Sequence, residues 1–191
     1  FVPKTNNDLG TRKIVRAAEK NEMDVIYLLG SDEIDMDRLG DAFVIYQGHH
    51  GDAGAHRADA ILPGAAYTEK NATYVNLEGR CQRALRAVFP PGEAKEDWAI
   101  IRALSEKVGK KLPYDNLSEV RQRMSEVNPI FSDIDKISKS AWGEFGGRGE
   151  IKDGEFIQPI ENFYMTDVIS RASATMAECT EAALAKKEKA A

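Results

Sequence analysis

Apolar positions along the chain fall into two regimes. Ile14, Val15 and Ala18 recur at helical spacing behind Thr11, which predicts a first helix capped by that threonine. Val25-Ile26-Tyr27-Leu28-Leu29-Gly30 is a continuous apolar run, too short for a helix and expected to be a central parallel strand buried on both faces. A second run covers Ala42 to Gln47, a Gly-rich loop covers Gly48 to Gly54, and a third short strand is expected from Ala58 to Leu62. Helix, strand, connection, strand, loop, strand is the order of an open α/β sheet, which further strands upstream would complete.

Beyond Pro90-Pro91-Gly92 the period becomes helical. Trp98, Ile101, Leu104 and Val108 form one stripe, with Gly109 where a helix ends. Asn116 followed by Glu119 predicts a capping box for a second helix, striped by Leu117, Val120, Met124 and Val127 and stopped by Asn128-Pro129. Periodicity is lost from Ile130 to Gly149, as expected of an extended segment lying across a neighbouring surface. Asp153-Gly154 between apolar flanks predicts a hairpin over 151–157. A last helix is expected from about Thr166, with Ile169, Ala172, Met176, Cys179 and Ala183 on one side, fraying into a lysine-rich end.

Composition fits a folded chain. Of 191 residues, 42% are hydrophobic and 30% charged, and the net charge of -5 comes from interspersed signs. A clustered basic face, the footprint of nucleic-acid binding, is missing. No apolar run approaches the ~20 residues that span a bilayer, so no membrane span is expected. The opening Phe1-Val2-Pro3-Lys4 resembles neither a signal peptide nor a natural start, and the chain reads as part of a longer one.

The two cysteines, Cys81 and Cys179, stand far apart and form no C-x-x-C pair. They are expected to be small packing residues in a reducing compartment, not cluster or zinc ligands. All three histidines lie in one loop, Gly48-His49-His50-Gly51-Asp52-Ala53-Gly54-Ala55-His56. Their spacing fits no zinc pattern, and the expected role is local hydrogen bonding or contact with a partner. The glycines there are spaced G-x-x-G-x-x-G, unlike the dinucleotide G-x-G-x-x-G, and no Gly-Lys-Ser/Thr occurs. The loop nevertheless follows a strand, at the edge where open α/β sheets bind ligands. No G-x-S-x-G elbow is present, and Asn71-Ala72-Thr73 and Asn116-Leu117-Ser118 are read as chance sequons.

Two stretches carry a family resemblance. Ala58 to Gln82, ADAILPGAAYTEKNATYVNLEGRCQ, resembles a signature of molybdopterin oxidoreductases in Asp59, Pro63, Glu69, Thr73, Asn76, Glu78, Gly79 and Arg80. Pro159 to Cys179, opening Pro-Ile-Glu-Asn-Phe-Tyr-Met-Thr-Asp, is similar to the C-terminal part of the large iron–sulfur subunits (75-kDa type, the G type in bacteria) of respiratory complex I. The resemblance implies that the molybdopterin fold is retained without its cofactor. It makes the eight signature residues structural and assigns this segment no catalytic, cofactor-binding or metal-binding residue. Where relatives often carry Glu-x-Gly-Thr, this chain has Glu69-Lys70-Asn71-Ala72-Thr73, which argues against backbone approach to a cofactor there.

The expected fold is part of an open, mainly parallel, Rossmann-like α/β sheet with flanking helices. Helices, a hairpin and an extended helical C-terminal tail follow it. Residues 1–112 would form the molybdopterin oxidoreductase-like region, and 113–191 the part that packs on the parent subunit or its neighbours. The resemblance also implies a place in the peripheral arm of NADH:quinone oxidoreductase, on the bacterial cytoplasmic or mitochondrial matrix side. The 4Fe-4S and 2Fe-2S clusters would be held in an N-terminal region of the parent subunit. Expected partners are that cluster-bearing region and other peripheral-arm subunits. Two other readings stay open: the later part of an active, formate-dehydrogenase-like molybdopterin enzyme, and a separately encoded interaction module.

Overall fold

The computed structural model describes residues 9–190 apart from 138, 140–142, 144–145 and 152; the side chains of 187–190 are also outside the description. Packing divides the chain into two units, Phe1–Ser138 and Lys139–Ala191.

The first unit is built on a three-stranded parallel sheet in the order β1-β2-β3: β1 (Val25–Leu29), β2 (Phe43–Gly48) and β3 (Ala60–Pro63). Val25 stands opposite Phe43, and Ile45 opposite Ala60. Strand side chains alternate between faces, so Ile26, Leu28, Val44 and Tyr46 share one face. Helix α1 (Thr11–Glu19) contributes Ala18 to the core on that face, and the 3-10 turn Met36–Leu39 contributes Leu39. Ion pairing of Arg38 with Glu19 at 2.5 Å ties the turn to the helix. Gly10, not Thr11, occupies the N-cap of α1.

The expectation of strands buried on both faces needs correction. Val25, Leu29 and Phe43, on the opposite face, are 52%, 54% and 48% exposed. The chain supplies α1 for one face and leaves much of the other open.

The Gly-rich stretch is only partly a loop, because Ala53–Arg57 forms a short helix, α2. Its Gly54 is packed so closely that an added Cβ would lie 2.8 Å from Asp32 Oδ1 and from the Tyr46 ring. The hairpin also lies elsewhere than expected. Strands β4 (Ala72–Val75) and β5 (Cys81–Ala84) pair antiparallel inside the 58–82 signature region. No strand occurs among the described residues of 151–157, where Ile151, Phe156 and Ile157 are exposed. A turn dipeptide fixes a hairpin only where its flanks find a surface to cover, and among the described residues the flanks of Asp153-Gly154 are exposed.

Helix α3 (Asp97–Lys107) ends as expected, with Gly109 at φ +79°. Gly109 N–H donates to Glu106 O and Lys110 N–H to Ser105 O, the paired bonds of a Schellman closure. Helix α4 (Leu117–Val127) starts at the expected cap, with Asn116 Oδ1 accepting from Glu119 N–H at 3.0 Å. The Glu119 carboxylate, however, accepts from Asp115 N–H at 2.6 Å, one residue before the N-cap, and not from Asn116 as a capping box requires. Arg102 of α3 joins the two helices, donating to Tyr114 O, Glu106 and Asp115. A 3-10 turn, Pro129–Ser132, follows α4.

In the second unit the expected single helix is two. Helix α5 (Val168–Arg171) is closed by an Asp167–Ser170 capping box, and α6 (Ala174–Ala190) starts afresh beyond Ser173. Bonding between Asn162 and Thr180 at 3.0 Å ties the 159–167 segment to α6. Among the described residues, no helix is long and apolar enough to cross a membrane.

Candidate functional site

The place to look for chemistry in an open parallel sheet is beyond the carboxyl ends of its strands. Here that edge is formed by Gly30 after β1, Gly48 to Asp52 after β2, and Pro63 to Lys70 after β3, with the start of α3 closing over it. Two polar groupings occupy it, one around buried Gln47 and one around buried Asp32 and Tyr46. In one, the Tyr27 hydroxyl donates to Gln47 Oε1, Gln47 Nε2 donates to Asp97 Oδ1 at 2.8 Å, and the Lys70 ammonium pairs with Asp97 Oδ2. Gln47 is fully buried, and the Lys70 and Asp97 side chains are 17% and 33% exposed. Burial, and then the Asp97 charge, raise the Tyr27 phenol above its ordinary pKa, so it stays a donor.

In the other grouping, Asp32 accepts from the Tyr46 hydroxyl at 2.8 Å and from Gly54 N–H at 2.7 Å. The Tyr46 hydroxyl also lies 3.1 Å from His50 O. His49 and His50 meet through their Nδ1 atoms at 2.7 Å, rings edge to face. Burial, followed by the neighbouring His50 and Lys70 charges, lowers the His49 pKa from its ordinary value of 6.5. The two rings contact each other, and the lowered His49 pKa favours the neutral form of that ring. No group of three His, Cys, Asp or Glu side chains is placed to share a metal ion among the described residues.

The signature residues line the route from β3 to β5. Asp59 Oδ2 accepts from Val44 N–H at 2.8 Å, fixing β3 beside β2, and sits 3.5 Å from Arg57. Pro63 ends β3 opposite Gly48, where its missing N–H costs no ladder bond, and its carbonyl accepts from Lys95 N–H. Glu69 Oε2 accepts from Ala66 N–H at 2.9 Å, closing that turn. Thr73 pairs with Arg83 across the β4–β5 ladder. Asn76 Oδ1 accepts from the backbone N–H of both Glu78 and Arg80, at 3.1 and 2.9 Å, and so organises the hairpin turn. Gly79 takes φ +82°, and Arg80 approaches Glu78 at 3.9 Å. Apart from Arg80 Nε, which is buried without a hydrogen-bond partner among the described residues, these groups bond within their own turn or to the adjacent strand.

A pterin of the kind bound in the resembled family needs backbone N–H groups and cations with no other partner. The edge offers few. Gly30 N–H is held by Gln47 O, Gly64 N–H by Gly48 O, Gly54 N–H by Asp32, Ala66 N–H by Glu69 and the Lys70 ammonium by Asp97. Side chains already fill the space a ligand would use beside Gly48 and Gly54. These residues do not fit the cofactor.

Sequence reasoning placed the three strands that lead to this edge but missed its polar residues. Tyr27, Gln47, Lys70 and Asp97 come from four separate segments and share no local pattern. The signal that existed was polar Gln47 at the end of an apolar strand.

Comparison with known proteins agrees with both resemblances. The sequence pattern of the molybdopterin oxidoreductase family matches residues 3–107, and that of the C-terminal region of the NADH-ubiquinone oxidoreductase G subunit matches 137–179. The chain is 49% identical over 95% of its length to the mitochondrial NADH-ubiquinone oxidoreductase 78 kDa subunit of Candida albicans, covering 26% of that protein. It is 49% identical over 89% of its length to the NADH-quinone oxidoreductase G subunit of Rickettsia felis, covering 25%. It is 46% identical over 91% of its length to the NADH-ubiquinone oxidoreductase 75 kDa subunit of Reclinomonas americana, covering 26%. The chain thus spans about a quarter of the length of the curated relatives it matches. Acetylene hydratase from Pelobacter acetylenicus overlays on 66% of this chain and 20% of its own at 20% identity, with a TM-score of 0.48. By a match that spans more than half of its length, and with a closing region of the G-subunit type, the chain belongs to the molybdopterin oxidoreductase family in its NADH-quinone oxidoreductase G-subunit branch.

Proposed function

We propose that this chain is a structural, cofactor-free portion of the peripheral arm of NADH:quinone oxidoreductase. It supports electron transfer from NADH to quinone through iron–sulfur clusters held elsewhere in the assembly. The observation that carries this reading is the carboxyl edge of the sheet, where Tyr27, Gln47, Asp97 and Lys70 satisfy one another and Asp32 is used by Tyr46 and Gly54. A working ligand site keeps donors available; this one binds its own side chains.

Partners follow from what the chain leaves exposed. Val25, Leu29 and Phe43 form the open face of the sheet, and an apolar strand face of this kind is normally covered by another element. The cluster-bearing region of the same subunit is the proposed cover. Exposed Ile151, Phe156 and Ile157 in the second unit are proposed to lie against neighbouring peripheral-arm subunits, on the cytoplasmic or matrix side of the membrane.

The test is elemental analysis with EPR on the purified assembly that contains this chain. Iron with several reducible iron–sulfur signals, and no molybdenum or tungsten, is the expected result. Molybdenum or tungsten at about one atom per chain would overturn it in favour of an active molybdopterin oxidoreductase.

A further inference from the structure

Strand β5, helix α4 and the turn Pro129–Ser132 outline an open surface pocket of about 410 Å³, away from the sheet edge described above. Two arginines, Arg83 and Arg121, face it together with the side chains of Ser118, Ser125, Ser132 and Gln122. Only Phe131 among the described lining side chains lacks an N–H or O–H, and none of them is a carboxylate. A pocket with two guanidiniums and no acid is electrostatically set for an anion.

Arg121 supplies the sharper observation. Its Nε and Nη2 atoms are buried and find no hydrogen-bond partner among the described residues. These two nitrogens form one edge of the guanidinium fork, the edge that pairs with two oxygens of a carboxylate or phosphate side by side once the side chain turns it toward the pocket. Buried guanidinium donors left unpaired are costly, and native structures normally pair them. Arg83 adds a second cation from the exposed side of β5, and its charge is felt at Cys81 on the same strand. Ser118 lies in the first turn of α4, where the helix dipole also favours negative charge.

We infer that the Arg83–Arg121 cavity binds the phosphate group of a small molecule. Guanidiniums from two elements and the hydroxyls of Ser118 and Ser132 suit a tetrahedral oxyanion, which accepts from several directions; the Ser125 hydroxyl is already taken by Arg121 O. The volume lies within the range of small-molecule pockets and exceeds what a bare ion fills. This site is independent of the scaffold reading, since it shares no residue with the sheet edge.

Titration calorimetry of the full chain at low ionic strength, with inorganic phosphate and separately with glycerol phosphate, tests the proposal. Saturable binding near one site per chain is expected, tighter for the ester. Arg121→Gln and Arg83→Gln should each weaken it at least about tenfold, the scale of a lost charge-assisted bond. Arg123→Gln, which removes a guanidinium paired with Glu126 at 3.1 Å, should leave it unchanged. Arg83 is exposed, so its variant should fold and melt normally and carry the test even if Arg121→Gln does not. Absence of saturable binding to the folded chain, or binding that survives Arg83→Gln undiminished, would overturn the inference.

Discussion

The Tyr46 hydroxyl donates to Asp32 Oδ2 at 2.8 Å in a buried contact that joins the middle strand of the sheet to the loop after the first. Asp32 also accepts from Gly54 N–H, so one carboxylate anchors the start of α2 over the strand. Tyr46→Phe keeps the ring in the core but leaves Asp32 short of a donor in a site with little access to water. A loss of about 2 kcal/mol is expected, the usual penalty for stranding one buried partner. Thermal unfolding monitored by circular dichroism should show a fall of several degrees. A midpoint unchanged within error would mean that water replaces the hydroxyl.

A second prediction concerns Lys70 and Asp97. Asp97 holds both the Lys70 ammonium and Gln47, and it also sits in the first turn of α3. Asp97→Ala should therefore destabilise more than Lys70→Ala, because it strands two donors and removes a charge that favours the helix start. The double variant should be less destabilised than the sum of the two, with a coupling of about 1 kcal/mol in denaturant unfolding. Strict additivity would show that the pair is solvent-screened and contributes nothing specific.

What the amino-acid pattern revealed was what depends on neighbours in sequence. Asn116 and Glu119 announced the start of α4, Gly109 the end of α3, and the apolar runs near 25 and 43 the parallel strands. Pairings that depend on distant segments were hidden. The β4–β5 hairpin was masked because Cys81-Gln82-Arg83-Ala84 lacks the usual strand residues, and only its partner Ala72–Val75 and the Asn76–Gly79 turn make it one. The break between α5 and α6 was concealed because the apolar spacing runs on from Ile169 through Ala172 to Met176, across the break. The two arginines of the phosphate cavity come from a strand and a helix, and neither shows any motif.

His49 predicts how stability varies with pH. Its folded-state pKa is lowered, first by burial and then by His50 and Lys70, so the native state resists protonating it while the unfolded chain does not. The unfolded state then binds more protons below about pH 6.5, and stability falls as the pH drops from neutrality through that range. His49→Gln should flatten the dependence. Melting midpoints for both proteins at pH 7.5 and pH 5.5 provide the check; parallel declines would assign the effect to other groups.

Gly79 holds the β4–β5 turn at φ +82°, and a Cβ added there would meet only Ile130 Cδ1, at 3.7 Å. Substitution there is costly for backbone reasons and not for want of room. Gly79→Ala should lose about 1 kcal/mol, and Gly79→Asn less, since asparagine tolerates the left-handed region. Urea unfolding of the two variants separates the causes. Equal losses would point to a steric clash instead.

Cys81 and Cys179 should differ in reactivity. Cys81 is fully buried, and burial is the main cause that raises its thiol pKa, against a smaller lowering by Arg83. Both effects keep iodoacetamide away: the sulfur is inaccessible, and its thiolate is scarce at neutral pH. Cys179 lies on α6 and is only partly covered. In the folded chain, mass spectrometry should find the label on Cys179 first and on Cys81 only once denaturant opens the β4–β5 pair. Labelling of Cys81 at the Cys179 rate without denaturant would mean that the hairpin opens on its own. Its contact with the segment around Ile134 and Asp135 would then be too weak to hold the arginine cavity in shape.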